Sequence, residues 1–216
     1  MGAGDMTSGR AVTATAGMFS GRRLLIFDFD GTIADTTPLH AAAFEGVLRP
    51  LGVAVDYHAI AGLRTSDAIR HLLGLARVVL DDAAVEALVV AKQAAVRATM
   101  RTSLQPLPGA DRFLRRARGK REMALVTSGS QGTVNLALDA LGYAGWFLPV
   151  VCSEDVARAK PDPEGFLRAL SLKRVPAGEA IVFEDSSAGI AAALAAGIDV
   201  IDVTAVDWED LVENLD

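Results

Sequence analysis

The 216 residues suffice for one large domain or one domain with an insertion, and 51% hydrophobic against 22% charged residues exclude wholesale disorder. A formal net charge of −6 disfavours a nucleic-acid partner, which normally needs a basic face, but leaves room for a small anionic substrate at a local positive site. The single cysteine, Cys152, excludes an intrachain disulfide and fits a reducing cytoplasm, and no run of about 18 uncharged apolar residues predicts a membrane span.

Residues 1–20 are rich in Gly, Ala, Thr and Ser and lack the apolar segment of a signal peptide. They are expected to form a flexible tail, with Met18 a candidate later start. The first predicted strand, 24–28, is an apolar run ending in Asp28, followed at once by Phe29, Asp30 and the turn-forming Gly31. Two carboxylates so close repel, and burial penalises each charge unless something pairs it.

Residues 35–105 then break the rhythm of the chain. Strands and helices in α/β units are usually joined by about 2–6 residues, and this interval is far longer. Its pattern predicts helices over 38–51, 65–75 and 82–100, a small inserted helical cap. Pro38 suits the first helical position with Thr37 as N-cap. His40 stands one turn before Phe44, where a structural histidine is the default. Lys92 lies on the helical stripe Val85, Leu88, Val89, Val96 and Met100. It either reaches an anionic ligand from that stripe or snorkels from its edge. The chain returns through "LQPLPG", stiffened by two prolines and ending at Gly109.

Beyond the cap, predicted helices 111–118, 130–141, 163–172 and 187–196 alternate with predicted strands 123–127, 148–152, 180–183 and 199–203. Such alternation implies βαβ units, hence an α/β fold with a doubly wound, Rossmann-like parallel sheet. The core is assigned to 21–34 and 106–216, and the cap to 35–105. In such sheets ligands sit outside the carboxyl ends of the strands.

Four of those ends carry candidate chemistry. Asp28 can serve as a nucleophile towards phosphorus, and Asp30 as the acid/base that serves the leaving oxygen and then a water; the alternative is a simple Asp-Gly turn. Thr127 and Ser128 end "ALVTS" and offer hydroxyls and amides to phosphate oxygens, or merely cap a helix. Lys160, before Pro161 in "ARAKPDPEGF", either neutralises phosphate and nucleophile or is a solvated loop residue. Glu184 and Asp185 end "AIVFED", and two acids there suit a divalent ion better than they suit helix capping. Magnesium, which takes hard oxygen ligands, would relieve the crowded charge. Cys152 is read as a small apolar residue of "FLPVVC" in preference to a catalytic thiol.

DFDGT, a Thr-Ser strand end, Lys-Pro and an acidic pair, in that order over about residues 22–203, resemble the haloacid dehalogenase-like hydrolase superfamily. With the helical insertion after the first motif, and with "KPDPEGF" and "VFEDSSAGI", the chain looks like its β-phosphoglucomutase-like, sugar-phosphate phosphatase subfamily. The resemblance implies Asp28 as nucleophile and Asp30 as general acid/base. It implies Mg2+ held by Asp28, the Asp30 backbone carbonyl and Asp185 with Glu184 assisting, and Thr127, Ser128 and Lys160 on the transferring phosphoryl group. Asp30 disfavours dehalogenation, because the dehalogenases lack that second aspartate.

The same resemblance makes Lys92 and His40 candidate substrate contacts, together with Arg64 and Thr65 of "AGLRTSD", although Arg64 stands one position earlier than the arginine expected there. Ser130 replaces a further mutase lysine, and "LQPLPGA" and "DVIDVTA" look more like the fructose-1-phosphate phosphatase branch. The expected protein is a cytoplasmic Mg2+-dependent phosphatase of a small phosphorylated sugar or related metabolite. A monomer or weak dimer is expected, with no nucleic-acid or membrane partner. A phosphosugar mutase and a non-catalytic module of the same fold are the alternatives.

Overall fold

A computed structural model describes residues 9–12 and 17–215. Five parallel strands form one sheet: β1 (Leu24–Phe27), β2 (Glu122–Val126), β3 (Val150–Val151), β4 (Ala180–Glu184) and β5 (Asp199–Asp202), in the order β3-β2-β1-β4-β5. The strands are apolar on both faces because both faces are covered. Leu24 and Ile26 point to a layer containing Phe166, Ala192 and Ala193, carried by α6 (Glu164–Lys173) and α7 (Ser187–Ala195). Leu25 and Phe27 point to the opposite layer, built from α4 (Ala110–Ala117), α5 (Gln131–Ala140) and α8 (Trp208–Glu213). There Phe27 stacks on Phe183 at 4.5 Å between ring centroids, and Phe183 lies against Trp208 at 5.9 Å.

Chain order takes β1 to β2 and β3 on one side and returns to β4 and β5 on the other. The switch point therefore falls between β1 and β4, where Phe27 pairs with Phe183 in register. The residues just beyond, Asp28 and Glu184–Asp185, are brought side by side by that register, in the crevice where open α/β sheets bind ligands.

Between β1 and α4 lie α1 (Thr37–Leu48), α2 (Thr65–Leu75) and α3 (Asp82–Ser103). Phe44, Leu48, Ile60, Ile69, Leu72, Val85 and Val89 give these helices an apolar cluster of their own. The later part of α3, with Val96 and Met100, joins the core cluster and packs on α5. The chain leaves and returns side by side: Asp35 donates to the Gln105 carbonyl at 3.1 Å and Leu107 to that of Ile33 at 2.8 Å. Gly109, at φ +83°, stands where a β-carbon would lie 2.4 Å from Cβ of Trp208, so the return needs glycine on both counts.

Several boundaries differ from the sequence reading. Thr36, not Thr37, is the N-cap of α1, which places Pro38 one residue further in. The last turn expected in that helix is a separate 3-10 turn at Arg49–Leu51, closed by Gly52 in the left-handed region. β3 is two residues long because Pro149, at its start, has no N–H to extend the ladder. α8 was not expected; its six residues are too few for a helical period to register.

The flexible-tail expectation for 1–20 fails where the structure describes that segment; 1–8 and 13–16 lie outside the described residues. Val12 donates to the Val200 carbonyl at 2.9 Å, and Val200 donates to that of Arg10 at 3.0 Å, so residues 10–12 pair with the outer edge of β5. Phe19 is 1% exposed, with its ring 5.7 Å from Phe113 and 6.2 Å from Phe183. Phe19→Ala is therefore expected to cost about 3 kcal/mol or more. A fall in melting temperature on the order of 10 °C by circular dichroism would report it, and an unchanged midpoint would place Phe19 outside the core.

Candidate active site

Four loops at the carboxyl edge of the sheet converge. Asp28 leaves β1 with its N–H still bonded to the Phe183 carbonyl at 3.0 Å. Its Oδ1 lies 2.6 Å from Nζ of Lys160, which also reaches Oε1 of Glu184 at 2.5 Å and the Val126 carbonyl at 3.0 Å. All three side chains are buried. Burial raises the Asp28 pKa well above the usual carboxylate range, and Lys160 opposes that rise. Burial works against the Lys160 charge too, but Asp28 and Glu184 outweigh it and raise the ammonium's pKa. The solvated-loop reading of Lys160 is thereby set aside.

Glu184 has little lone-pair capacity left. Its Oε2 accepts from the Asp185 and Ser186 N–H groups and from the Ser186 hydroxyl, all at 3.0 Å. Its carboxylate lies so close to α7 that a β-carbon on Gly189 would be 1.7 Å from Oε1. Asp185 accepts from the Thr32 hydroxyl at 3.2 Å. Burial, then the charge of Glu184, pushes its carboxyl up to about 6. Gly31, at φ +80°, lets Asp185 approach: a β-carbon there would sit 2.2 Å from Oδ2.

Carboxylate oxygens of Asp28, Glu184 and Asp185 lie within 4.8 Å of one another. The donor set fits Mg2+: the oxygens are hard, one ammonium is shared among crowded carboxylates, and Asp28 and Asp185 keep lone pairs to offer. The resemblance implied only the backbone carbonyl of Asp30 as a ligand, and the Asp30 side chain is not in this group.

Asp30 turns instead towards the cap. His40 Nε2 is 3.3 Å from its Oδ1, and His40 Nδ1 is 2.7 Å from Nζ of Lys92. A protonated Lys92 donates to Nδ1, which leaves the imidazole proton on Nε2, facing Asp30. Burial disfavours the Asp30 charge, yet His40, Thr36 and Lys92 outweigh it and hold the carboxyl at about 2. Lys92 is 2% exposed, 4.3 Å from the Phe44 ring centroid, and burial brings it down to about 8. It points inward from its stripe and does not snorkel.

A cavity lies over these groups, lined by Asp28, Asp30, His40, Lys92, Thr65 and Ser128 among others. Thr127 is buried and lines a neighbouring pocket with Ser128 and Lys160, its hydroxyl accepting from Gly129 N–H at 3.0 Å. Tyr57 also lines the cavity and was not singled out from the sequence, because a lone loop aromatic carries no periodic signal. Burial and then the charges of Asp30, Asp185 and Asp28 raise its hydroxyl's pKa, so it remains a donor. Arg64 is not among the residues brought to the carboxylates; its guanidinium bonds the carbonyls of Ser153 and Val156. Cys152 is buried, and burial, then Glu154 and Asp155, pushes its thiol up to about 12, which fits the apolar reading.

A family model described as haloacid dehalogenase-like hydrolase matches residues 25–203, from β1 to just past β5, with all four strand-end groups inside it. The chain belongs to the haloacid dehalogenase-like hydrolases. Among curated members, fructose-1-phosphate phosphatase YqaB of Escherichia coli K12 is 36% identical over 179 residues, covering 83% of this chain and 95% of its own. Validoxylamine A 7'-phosphate phosphatase of Streptomyces hygroscopicus subsp. limoneus is 31% identical, covering 88% and 90%. The crystal structure of β-phosphoglucomutase from Clostridium difficile superposes with a TM-score of 0.76 at 21% identity, covering 89% and 88%, a likeness of fold. Among the described residues of this hydrolase, no helix is long and apolar enough to cross a membrane.

Proposed function

We propose that the chain is a Mg2+-dependent phosphatase acting on a small phosphorylated sugar or related metabolite through an aspartyl-phosphate on Asp28. The observation that carries the reading is Lys160, buried between Asp28 and Glu184 with Asp185 beside them, beneath a cavity into which Asp28, Asp30, His40 and Lys92 converge. Asp28 and Asp185 would hold Mg2+ with the Asp30 backbone carbonyl, while Glu184 orients Lys160 and the Ser186 turn. When bound, the ion supplies positive charge to the phosphoryl oxygens.

Asp28 forms its bond to phosphorus as the bond to the leaving oxygen breaks, and Asp30 gives that oxygen a proton. Asp30 then takes a proton from the water that attacks phosphorus, and Asp28 and inorganic phosphate are released. In the free protein Asp30 is held ionised, the form needed for the second half. A phosphate dianion arriving beside it raises its pKa and favours the proton needed for the first. Thr127, Ser128 and Lys160 stabilise the charge of a loose transition state. The relatives named above, which act on phosphorylated sugars or sugar-like compounds, support this substrate class.

A phosphosugar mutase would share Asp28 and Asp30 but must keep water out and hold a second phosphate. Phe44 cannot donate a hydrogen bond, and Ser130 stands where the mutase has a lysine, which favours hydrolysis. The test is a panel of sugar phosphates with Mg2+, with and without excess EDTA. Inorganic phosphate should appear one-for-one with substrate consumed and stop with EDTA. If β-glucose 1-phosphate, with Mg2+ and a trace of glucose 1,6-bisphosphate, gave glucose 6-phosphate and little free phosphate, the mutase reading would replace this one.

A further inference from the structure

The geometry points to Arg64 as a positioning residue that latches cap segment 62–65 onto the core loops carrying the chemistry, and not as a substrate ligand. The segment touches three of those loops. The Ser128 hydroxyl donates to the Gly62 carbonyl at 2.7 Å. A β-carbon on Gly62, which sits at φ +78°, would lie 2.5 Å from the Ser186 hydroxyl oxygen, and Ser186 is bonded to Glu184. Arg64 donates through Nη2 to the Ser153 and Val156 carbonyls, both at 2.9 Å, on the loop that leads to Lys160.

The side chains of the segment divide the work. Leu63 and Thr65 line the cavity over Asp28, together with the backbone of Gly62. Arg64, between them, does not line that cavity and faces the β3–α6 loop. The two carbonyls it holds belong to the first residue of a single 3-10 turn, Ser153–Asp155, and to the residue just after it, so one guanidinium nitrogen ties both ends of that turn to the cap. Bonds with an ionised donor are strong, but Arg64 Nε is buried with no partner among the described residues, which offsets part of the gain.

Docking 62–65 would then set the positions of Ser128, Lys160 and Glu184 relative to Asp28 for any phosphomonoester, whatever its organic half. This rests on the phosphatase reading for its kinetic consequence, though not for the contact itself. Arg64→Ala should lower kcat/KM by about 10- to 100-fold, and by a similar factor for p-nitrophenyl phosphate and for the best sugar phosphate. Arg64→Lys, whose ammonium can still serve a carbonyl, should recover part of the loss. Hydrogen–deuterium exchange should rise in peptides spanning 62–65 and 153–160 in the alanine variant.

A loss confined to sugar phosphates, appearing in KM with p-nitrophenyl phosphate unaffected, would make Arg64 a substrate ligand and overturn the proposal. Unchanged kinetics and exchange would overturn it too. If Arg64→Ala does not fold, the comparison of Arg64→Lys with wild type across the two substrates decides by the same criterion. If the wild type hydrolyses no phosphomonoester, the phosphatase reading fails, and the latch stands or falls on the exchange result alone.

Discussion

Asp28→Asn is expected to abolish phosphate release, by on the order of 10⁴-fold or more, while leaving the protein folded. The amide is not a nucleophile towards phosphorus and is a poorer ligand for a hard cation than a carboxylate. The fold should tolerate it because Lys160 keeps two acceptors, Oε1 of Glu184 and the Val126 carbonyl. Asn also removes a charge that burial disfavours and that repels Glu184, Asp185 and Asp30. The melting temperature should therefore stay within a few degrees of wild type. The check is phosphate release with Mg2+ alongside a circular dichroism melt. Release at near the wild-type rate by a folded variant would refute the role given to Asp28.

The parts of this protein that were legible in its sequence share a cause. Each strand buried on both faces is a short unbroken apolar run, and polar residues at its end mark where the chain leaves the sheet. Asp28, Thr127 and Glu184 could be placed at strand ends for that reason, and Lys160 by its Lys-Pro loop. What periodicity could not supply was that β4 lies beside β1. That pairing of distant segments brings Glu184 and Asp185 to Asp28; the resemblance implied that these acids share a metal, but not which strands lie side by side.

The misses are side chains whose environment is wholly tertiary. Phe19 is one aromatic in a segment that reads as a polar tail, and only the rings of Phe113 and Phe183 make it core. Tyr57 sits in a loop. Arg64 was placed in the cap's substrate loop, but its direction depends on two carbonyls of β3–α6, about 90 positions along the chain and reached only through tertiary packing. Lys92 was ambiguous between reaching and snorkelling because a stripe position does not say what lies opposite; His40 and Asp30 lie opposite.

Lys160→Met should destabilise the protein by about 3–5 kcal/mol at neutral pH, more than most core substitutions. Methionine fills much of the volume of the lysine stem, so the loss is mainly electrostatic. Asp28 and Glu184 would remain buried, with side chains 10% and 0% exposed, after losing the ammonium 2.6 and 2.5 Å away. The sign of the pH dependence follows from Asp28. Its folded pKa already lies above its unfolded value through burial, and Lys160 is what limits the rise. Without Lys160 the folded pKa climbs further. A group raised in this way contributes fully below its unfolded pKa and loses that contribution as pH rises through the folded pKa. The variant should thus come closest to wild type at the acid end of the range and fall behind as pH increases. Melting temperatures of both proteins from pH 5 to pH 8 would measure this, with the gap widening upward. A gap constant across that range would mean that Lys160 acts by packing on Phe166, whose ring centroid is 5.3 Å from Nζ, and not by compensating the carboxylates.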